Sequence, residues 1–275
     1  MNESSLQNQI DAARAYETLF VPALFGQWAP KVADAARTQP GHRALDVGTG
    51  TGILARAIAA RVGSTGRVAG VDPSAGMLAV AGQLAPAVEW REGVGESLPF
   101  ADRSFDAVVS QFALMFFDDR PQALREMLRV LTPGGRMAVA VWDSLESMPA
   151  YASEVALLER MAGRHAADAL RAPFVLGNRT ILAALFSEAG VGEFDITTHE
   201  GTAQFPGIRT MVEADLRGWL PVMGITLTED VIERTLQDAE QSLGSYAAAD
   251  GRVAFHLSAH IAIAAKPRHV APCAA

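Results

Sequence analysis

The sequence predicts an α/β fold with a doubly wound, mostly parallel sheet, and three observations carry that expectation. First, Ala44-Leu45-Asp46-Val47 reads as a buried strand and runs straight into Gly48-Thr49-Gly50-Thr51-Gly52 and an alanine-rich helix. Second, short continuous apolar strands alternate with helical patterns from about residue 43 to 142, the signature of parallel strands buried on both faces. Third, the 275 residues are 49% hydrophobic, enough for a sizeable core in one large domain or a domain with a cap.

In chain order, residues 43–47 form the first strand, and 52–62 a helix with Ile53, Leu54, Ala57 and Ile58 on one face. Residues 67–71 form the second strand, and Asp72-Pro73-Ser74 opens a helix carrying Met77, Leu78 and Ala81. Strands three and four fall at 87–91 and 105–110. Pro121 suits the first turn of a helix whose Leu124, Met127, Leu128 and Leu131 repeat at i, i+3, i+4, i+7, and Pro133-Gly134-Gly135 stops it. Residues 136–142 form strand five. Beyond Trp142 the rhythm breaks into an irregular helical stretch, 143–177. A helix at 179–189, a strand at 193–200, helices within 206–248 and a last strand at 253–265 follow, and 268–275 reads as a loose tail.

Charge and composition exclude several classes. A net charge of −8 with no Lys/Arg stripe (Lys31 and Lys266 are the two lysines) argues against nucleic acid. The single cysteine, Cys273, allows no internal disulfide, the polar N-terminus lacks a signal-peptide core, and no apolar run reaches membrane-span length, so a cytoplasmic protein is expected. No Cys/His or Glu/His spacing suits a metal. The glycine turn is the chemical feature. A helix N-terminus offers unpaired N–H groups, and glycines admit a ligand close to the main chain, so a small, partly anionic ligand is expected there. A dinucleotide oxidoreductase is the rival, but its fingerprint is Gly-x-Gly-x-x-Gly whereas this turn is Gly-x-Gly-x-Gly.

Four linked elements resemble the class I S-adenosylmethionine-dependent methyltransferases, in the group that includes ubiquinone/menaquinone-type enzymes. They are Asp46–Gly52; Val71-Asp72-Pro73-Ser74 with Met77-Leu78; Glu96-Ser97-Leu98-Pro99-Phe100 followed by Ser104–Val109; and Leu128-Arg129-Val130-Leu131-Thr132-Pro133-Gly134-Gly135. The resemblance implies a seven-stranded sheet of order 3-2-1-4-5-7-6 with strand seven antiparallel. It implies S-adenosyl-L-methionine as methyl donor, S-adenosyl-L-homocysteine as product, and a small-molecule acceptor. Cofactor contacts are expected from Asp46, Gly48, Thr49, Gly50 and Gly52 to the methionine part and from Asp72 to the ribose. Pro73, Met77, Gly95 and Glu96 would meet the adenine, Gln111 and Phe112 the reacting end, and Tyr16 would reach in from the N-terminal segment. Asp72 also suits a helix N-cap, a role compatible with ribose binding, and Met77 also suits a core position. The family's frequent acidic residue two places before Glu96 is Val94 here.

One domain is expected in three parts. Residues 1–40 close over the cofactor, 41–142 form the cofactor-binding core, and 143–267 complete the sheet and carry a helical substrate cap at 143–177 and 206–250. The apolar and aromatic content of the cap predicts a largely apolar acceptor. Sulfonium chemistry requires no fixed triad; His256, near the start of the last strand, is the least unlikely histidine base. A silent cofactor-binding regulator remains as an alternative, and a homodimer stays open.

Overall fold

The computed structural model describes residues 3–268, so Cys273 and all but the first residue of the 268–275 tail lie outside the described residues. Seven strands, β1 Arg43–Val47, β2 Arg67–Asp72, β3 Glu89–Glu92, β4 Phe105–Gln111, β5 Leu131–Trp142, β6 Phe194–Phe205 and β7 Val253–Ala265, form one sheet. Its order is β3-β2-β1-β4-β5-β7-β6, as expected. β1 to β5 pair in parallel; β7 runs antiparallel to both β5 and β6. Buried residues of β1, β4 and β5 are mostly small or branched, such as Ala44, Leu45, Val108, Val109 and Val139, which suits a layer covered on both faces.

Helices cover the sheet: α1 Glu3–Phe20, α2 Ala29–Ala35, α3 Ile53–Val62, α4 Ala75–Leu84 and α5 Arg120–Val130. A π-helical turn, Val21–Phe25, links α1 to α2. Local caps fix the entries. Ser74 Oγ accepts from Met77 N–H at 3.3 Å, and Asp119 Oδ1 accepts from Gln122 N–H at 2.9 Å. α1 lies against α4, so close that a Cβ on Gly76 would stand 2.6 Å from the Gln9 main chain.

Two boundaries differ most from the sequence reading: β5 begins at Leu131 rather than 136, and β6 runs past 200. The helix expected to run through Leu131 ends at Val130, and Leu131 already pairs with Phe105 in the sheet. The Lys266 ammonium donates to the carbonyls of Leu128, Arg129 and Leu131 at 2.7, 3.1 and 2.8 Å, satisfying the end of α5 from the far end of β7. β6 extends to Phe205, beyond the expected 200, because β7 supplies a partner at every position down to Val253.

The stretch after β5 forms α6 Pro149–Ala162, α7 Arg164–Arg171 and α8 Arg179–Glu188. After β6 come α9 Ile208–Ala214, a π-helical turn Asp215–Trp219, α10 Leu220–Val222 and α11 Glu229–Ser242. α6 packs on both α7 and α11. Both cap segments therefore meet above the carboxyl ends of the parallel strands, where ligands of such sheets bind.

Candidate functional site

The site begins at the end of β1. Asp46 is 1% exposed. Its Oδ2 accepts from Thr49 Oγ1 at 2.7 Å and from Ala55 N–H at 3.1 Å, while Oδ1 meets no donor. Burial pushes this carboxyl up to about 7, against the pull of those two hydrogen bonds, and the Asp72 carboxylate adds to the rise. The turn that follows needs glycine. Gly48 has φ +70°, and a Cβ there would stand 2.3 Å from Ala113 Cβ. Gly52 has φ +85°, and a Cβ would strike Trp90 at 2.6 Å. In front of Gly50 nothing lies within 4 Å of a Cβ position, so that residue faces open space.

Several amides of the turn are already used. Gly48 and Thr49 N–H both donate to Val71 O, at 2.8 and 3.0 Å, and Gly52 N–H donates to Thr49 O at 2.9 Å. Gly50 N–H donates to Asp72 Oδ2 at 2.8 Å, and Ser74 N–H to Asp72 Oδ1 at 2.9 Å. Burial raises the Asp72 pKa and these two hydrogen bonds oppose it. The first turn of α3 keeps amides with no intrahelical acceptor, and these, rather than the glycine amides, remain for an anionic group.

Past β4, Gln111 Nε2 donates to Phe25 O at 3.3 Å and its buried Oε1 meets no donor. Phe112 adopts φ +55°, an unusual conformation for a large side chain. Its ring stacks on Trp142 with centroids 3.8 Å apart and planes 9° from parallel. From above, Tyr16 of α1 stacks on Phe25 at 5.3 Å. Burial raises the Tyr16 hydroxyl pKa, and the Asp72 and Glu17 carboxylates raise it further.

These groups surround a chamber of about 810 Å³. Tyr16, Asp46, Gly48, Thr49, Gly50, Asp72, Pro73, Met77, Gln111 and Phe112 line it, together with Arg217 and Trp219 from the cap. Gly52, Gly95 and Glu96 do not. Gly52 turns toward Trp90. The Phe117 ring stands against Gly95, at 2.8 Å from a Cβ position, and reaches within 3.5 Å of the same position on Gly48, so it screens Gly95 from the chamber. Glu96 is engaged elsewhere: its Oε1 accepts from Asp119 N–H at 3.2 Å and its carbonyl accepts from Gln122 Nε2 at 3.3 Å, both at the start of α5. His256 is exposed and lines a shallow hollow with Glu200 and Thr202, away from the chamber. Strand alternation explains this, since Phe255 turns toward Tyr151 and its neighbour turns away. His260 is buried and structural: Nε2 donates to Gly177 O at 2.8 Å, and Nδ1 accepts from Thr198 Oγ1 at 2.9 Å.

A smaller cavity of about 90 Å³ adjoins the chamber, sharing Tyr16, Phe20, Phe25, Phe112, Phe116 and Trp219 with it. Tyr151 and Asp215 also line it. Asp215 is 4% exposed and Glu154, beside it, 2%. Neither was singled out in the sequence. A signal was present: Tyr151, Glu154, Val155 and Leu158 repeat at i, i+3, i+4, i+7, as do Ile208, Met211, Val212 and Asp215, so each acid sits in an apolar stripe. Among the described residues no group of three or more His, Cys, Asp or Glu side chains could hold a metal ion, and no helix is long and apolar enough to cross a membrane.

Comparison with known proteins gives a consistent picture. The family model described as "Methyltransferase domain" matches residues 45–139. The chain is similar to the 2-phytyl-1,4-naphtoquinone methyltransferase of Thermosynechococcus vestitus, 43% identical over 115 residues, covering 41% of this chain and 51% of that protein. It is similar to the demethylmenaquinone methyltransferase of Chlorobaculum parvum, 40% identical over 142 residues, covering 49% and 58%. The chain thus spans about half the length of these relatives. The fold is shared with the Bacillus subtilis YcgJ protein, with a TM-score of 0.57 at 21% identity, covering 88% of this chain and 99% of that one.

Proposed function

We propose, from the premise that this chain belongs through residues 45–139 to the class I S-adenosylmethionine-dependent methyltransferases, that it transfers a methyl group to a small, largely apolar acceptor. The observation that carries this reading is the convergence of Asp46, the glycine turn, Asp72 and Gln111 on one chamber. Two of its buried oxygens, Asp46 Oδ1 and Gln111 Oε1, lack donors, which suits a ligand bearing an ammonium and a sulfonium.

S-Adenosylmethionine supplies a methyl group that is already electrophilic, so the protein has only to bind, align and exclude water. Asp46 would offset the ammonium, which in turn would hold that carboxyl ionised. The first turn of α3 would meet the ligand carboxylate. Asp72 would accept from the ribose hydroxyls on the lone pairs that Gly50 and Ser74 leave free. Pro73 and Met77 would flank the adenine. Gln111 and Phe112 would stand beside the reacting end, with Trp219 and Tyr16 sealing the chamber from above. The aromatic lining favours a flat, apolar acceptor body, in keeping with the naphthoquinone substrate named for one relative.

Calorimetry with S-adenosylmethionine tests the reading. Asp72→Ala removes the acceptor of two amides as well as the ribose partner, and Gly50→Val forces a side chain into the open front of the turn at φ +55°. Each is expected to weaken binding by tenfold or more. Full affinity in both variants would overturn it. Release of S-adenosylhomocysteine with reduced 1,4-naphthoquinone as acceptor separates turnover from binding alone.

A further inference from the structure

Two carboxyl groups, from segments far apart in the chain, meet inside the cap with no protein donor between them. Neither oxygen of Glu154, nor Asp215 Oδ2, is reached by an N–H or hydroxyl group. Buried carboxylates without donors are costly. The hydrogen between them must then be carried by one of the two acids. Burial raises the pKa of both, and for Glu154 the Asp215 charge raises it further. Two like charges this close do not both ionise, so the pair holds one proton at rest. The other titratable group beside them is Tyr151, also on α6, whose hydroxyl is pushed well above its ordinary range by burial and by the two carboxylates. Tyr16 of α1 lines the same cavity. Arg217, the cation of the same turn, is committed to Glu213 and Glu229.

Asp215 lines the small cavity, whose remaining walls include the rings of Phe112, Trp142 and Trp219. At about 90 Å³ it is smaller than the roughly 150 Å³ void that admits benzene. It would therefore take the polar edge of an acceptor whose body lies in the larger chamber. We propose that Asp215 is the residue that binds and deprotonates a hydroxyl of an aromatic acceptor, with Glu154 as the positioning residue that shares its proton. This rests on the methyltransferase reading above. The acceptor O–H bond breaks, its proton passes to the Asp215 carboxylate so that the pair holds two, and the bonding electrons stay on oxygen as the nucleophile's lone pair. The second proton returns to solvent when the product leaves. A hydroxylated ring is thereby distinguished from a bare one, because the same acid left facing an apolar edge would lose its partner.

The test uses 2-naphthol and naphthalene as probes, titrated by fluorescence into the protein with and without S-adenosylhomocysteine. Wild type is expected to bind 2-naphthol at least tenfold more tightly than naphthalene. Asp215→Asn is expected to remove that preference while leaving S-adenosylhomocysteine affinity within twofold, which also shows that the variant is folded. Glu154→Leu removes the hydrogen bond that holds the Asp215 pKa down, so the pH at which 2-naphthol binding sets in should move upward. Glu154→Gln, which keeps a donor, should restore it. No preference in wild type, or a preference that survives in Asp215→Asn, overturns the proposal. Absence of S-adenosylhomocysteine binding in wild type instead overturns the methyltransferase reading itself.

Discussion

The floor of the chamber is built from main chain and the roof from side chains. Below, the 46–52 turn and the ends of β2 and β4 present amides, carbonyls and a few short acids, fixed by hydrogen bonds between neighbouring strands. Above, α1, α6 and the turn at 215–219 present rings and one buried acid pair, placed by packing. A main-chain floor tolerates almost no substitution but says little about which acceptor is used. A side-chain roof can be altered piecemeal, and under the proposed function it is the roof that would select the acceptor.

The largest effect should come from the floor. Gly48→Val adds a branched side chain where even a Cβ would lie 2.3 Å from Ala113, at φ +70°. S-Adenosylmethionine affinity should fall by a hundredfold or more and the melting temperature should drop; near-wild-type calorimetry would show that the floor yields as readily as the roof.

The roof should give an effect of intermediate size and opposite sign. A carboxyl whose pKa is raised on folding binds more protons folded than unfolded. Its contribution is therefore complete below the unfolded value and lost as pH rises through the folded one. For Glu154 and Asp215 the window runs from the ordinary carboxylate range upward. The paired replacement Glu154→Gln with Asp215→Asn should leave stability nearly unchanged at pH 4 and raise it by about 2 kcal/mol at pH 8. Taking the difference from wild type cancels Asp102, Asp106 and Glu126, whose arginine-paired carboxyls titrate the other way. Equal slopes in scanning calorimetry from pH 4 to 8 would mean the acids are not coupled to folding.

The smallest effect is expected outside both regions. His256→Ala, in its surface hollow, should change stability by less than about 0.5 kcal/mol and donor affinity not at all. A clear loss of affinity would extend the site beyond the chamber.

The same contrast explains what could be read from the chain beforehand. The strands and the floor residues follow local rules: glycine at fixed spacing, an acid at a strand end, apolar runs between helices; the sheet order is implied by the resemblance of the four linked elements to a known family. Gly95 and Glu96 follow the end of β3, yet Phe117 and the start of α5 claim them, and that competition depends on a ring brought in from the loop after β4. Asp215 and Glu154 stood in legible apolar stripes, but their meeting required the packing of two cap segments. His256 lies outside the chamber because proximity to a strand end does not say which face a side chain takes.

The turn at Asp215–Trp219 winds as a π-helix, so it holds one residue more than an α-helical turn of the same span. Losing one residue there would let the backbone rewind as an α-helical turn of the same span, with the segments before and after it facing nearly as they do now. A relative that is one residue shorter at this place would keep its architecture, and would lose the inward-facing acid where the missing residue is the counterpart of Asp215. Length as well as residue identity is thus to be compared when homologous caps are sorted by the acceptors proposed for them.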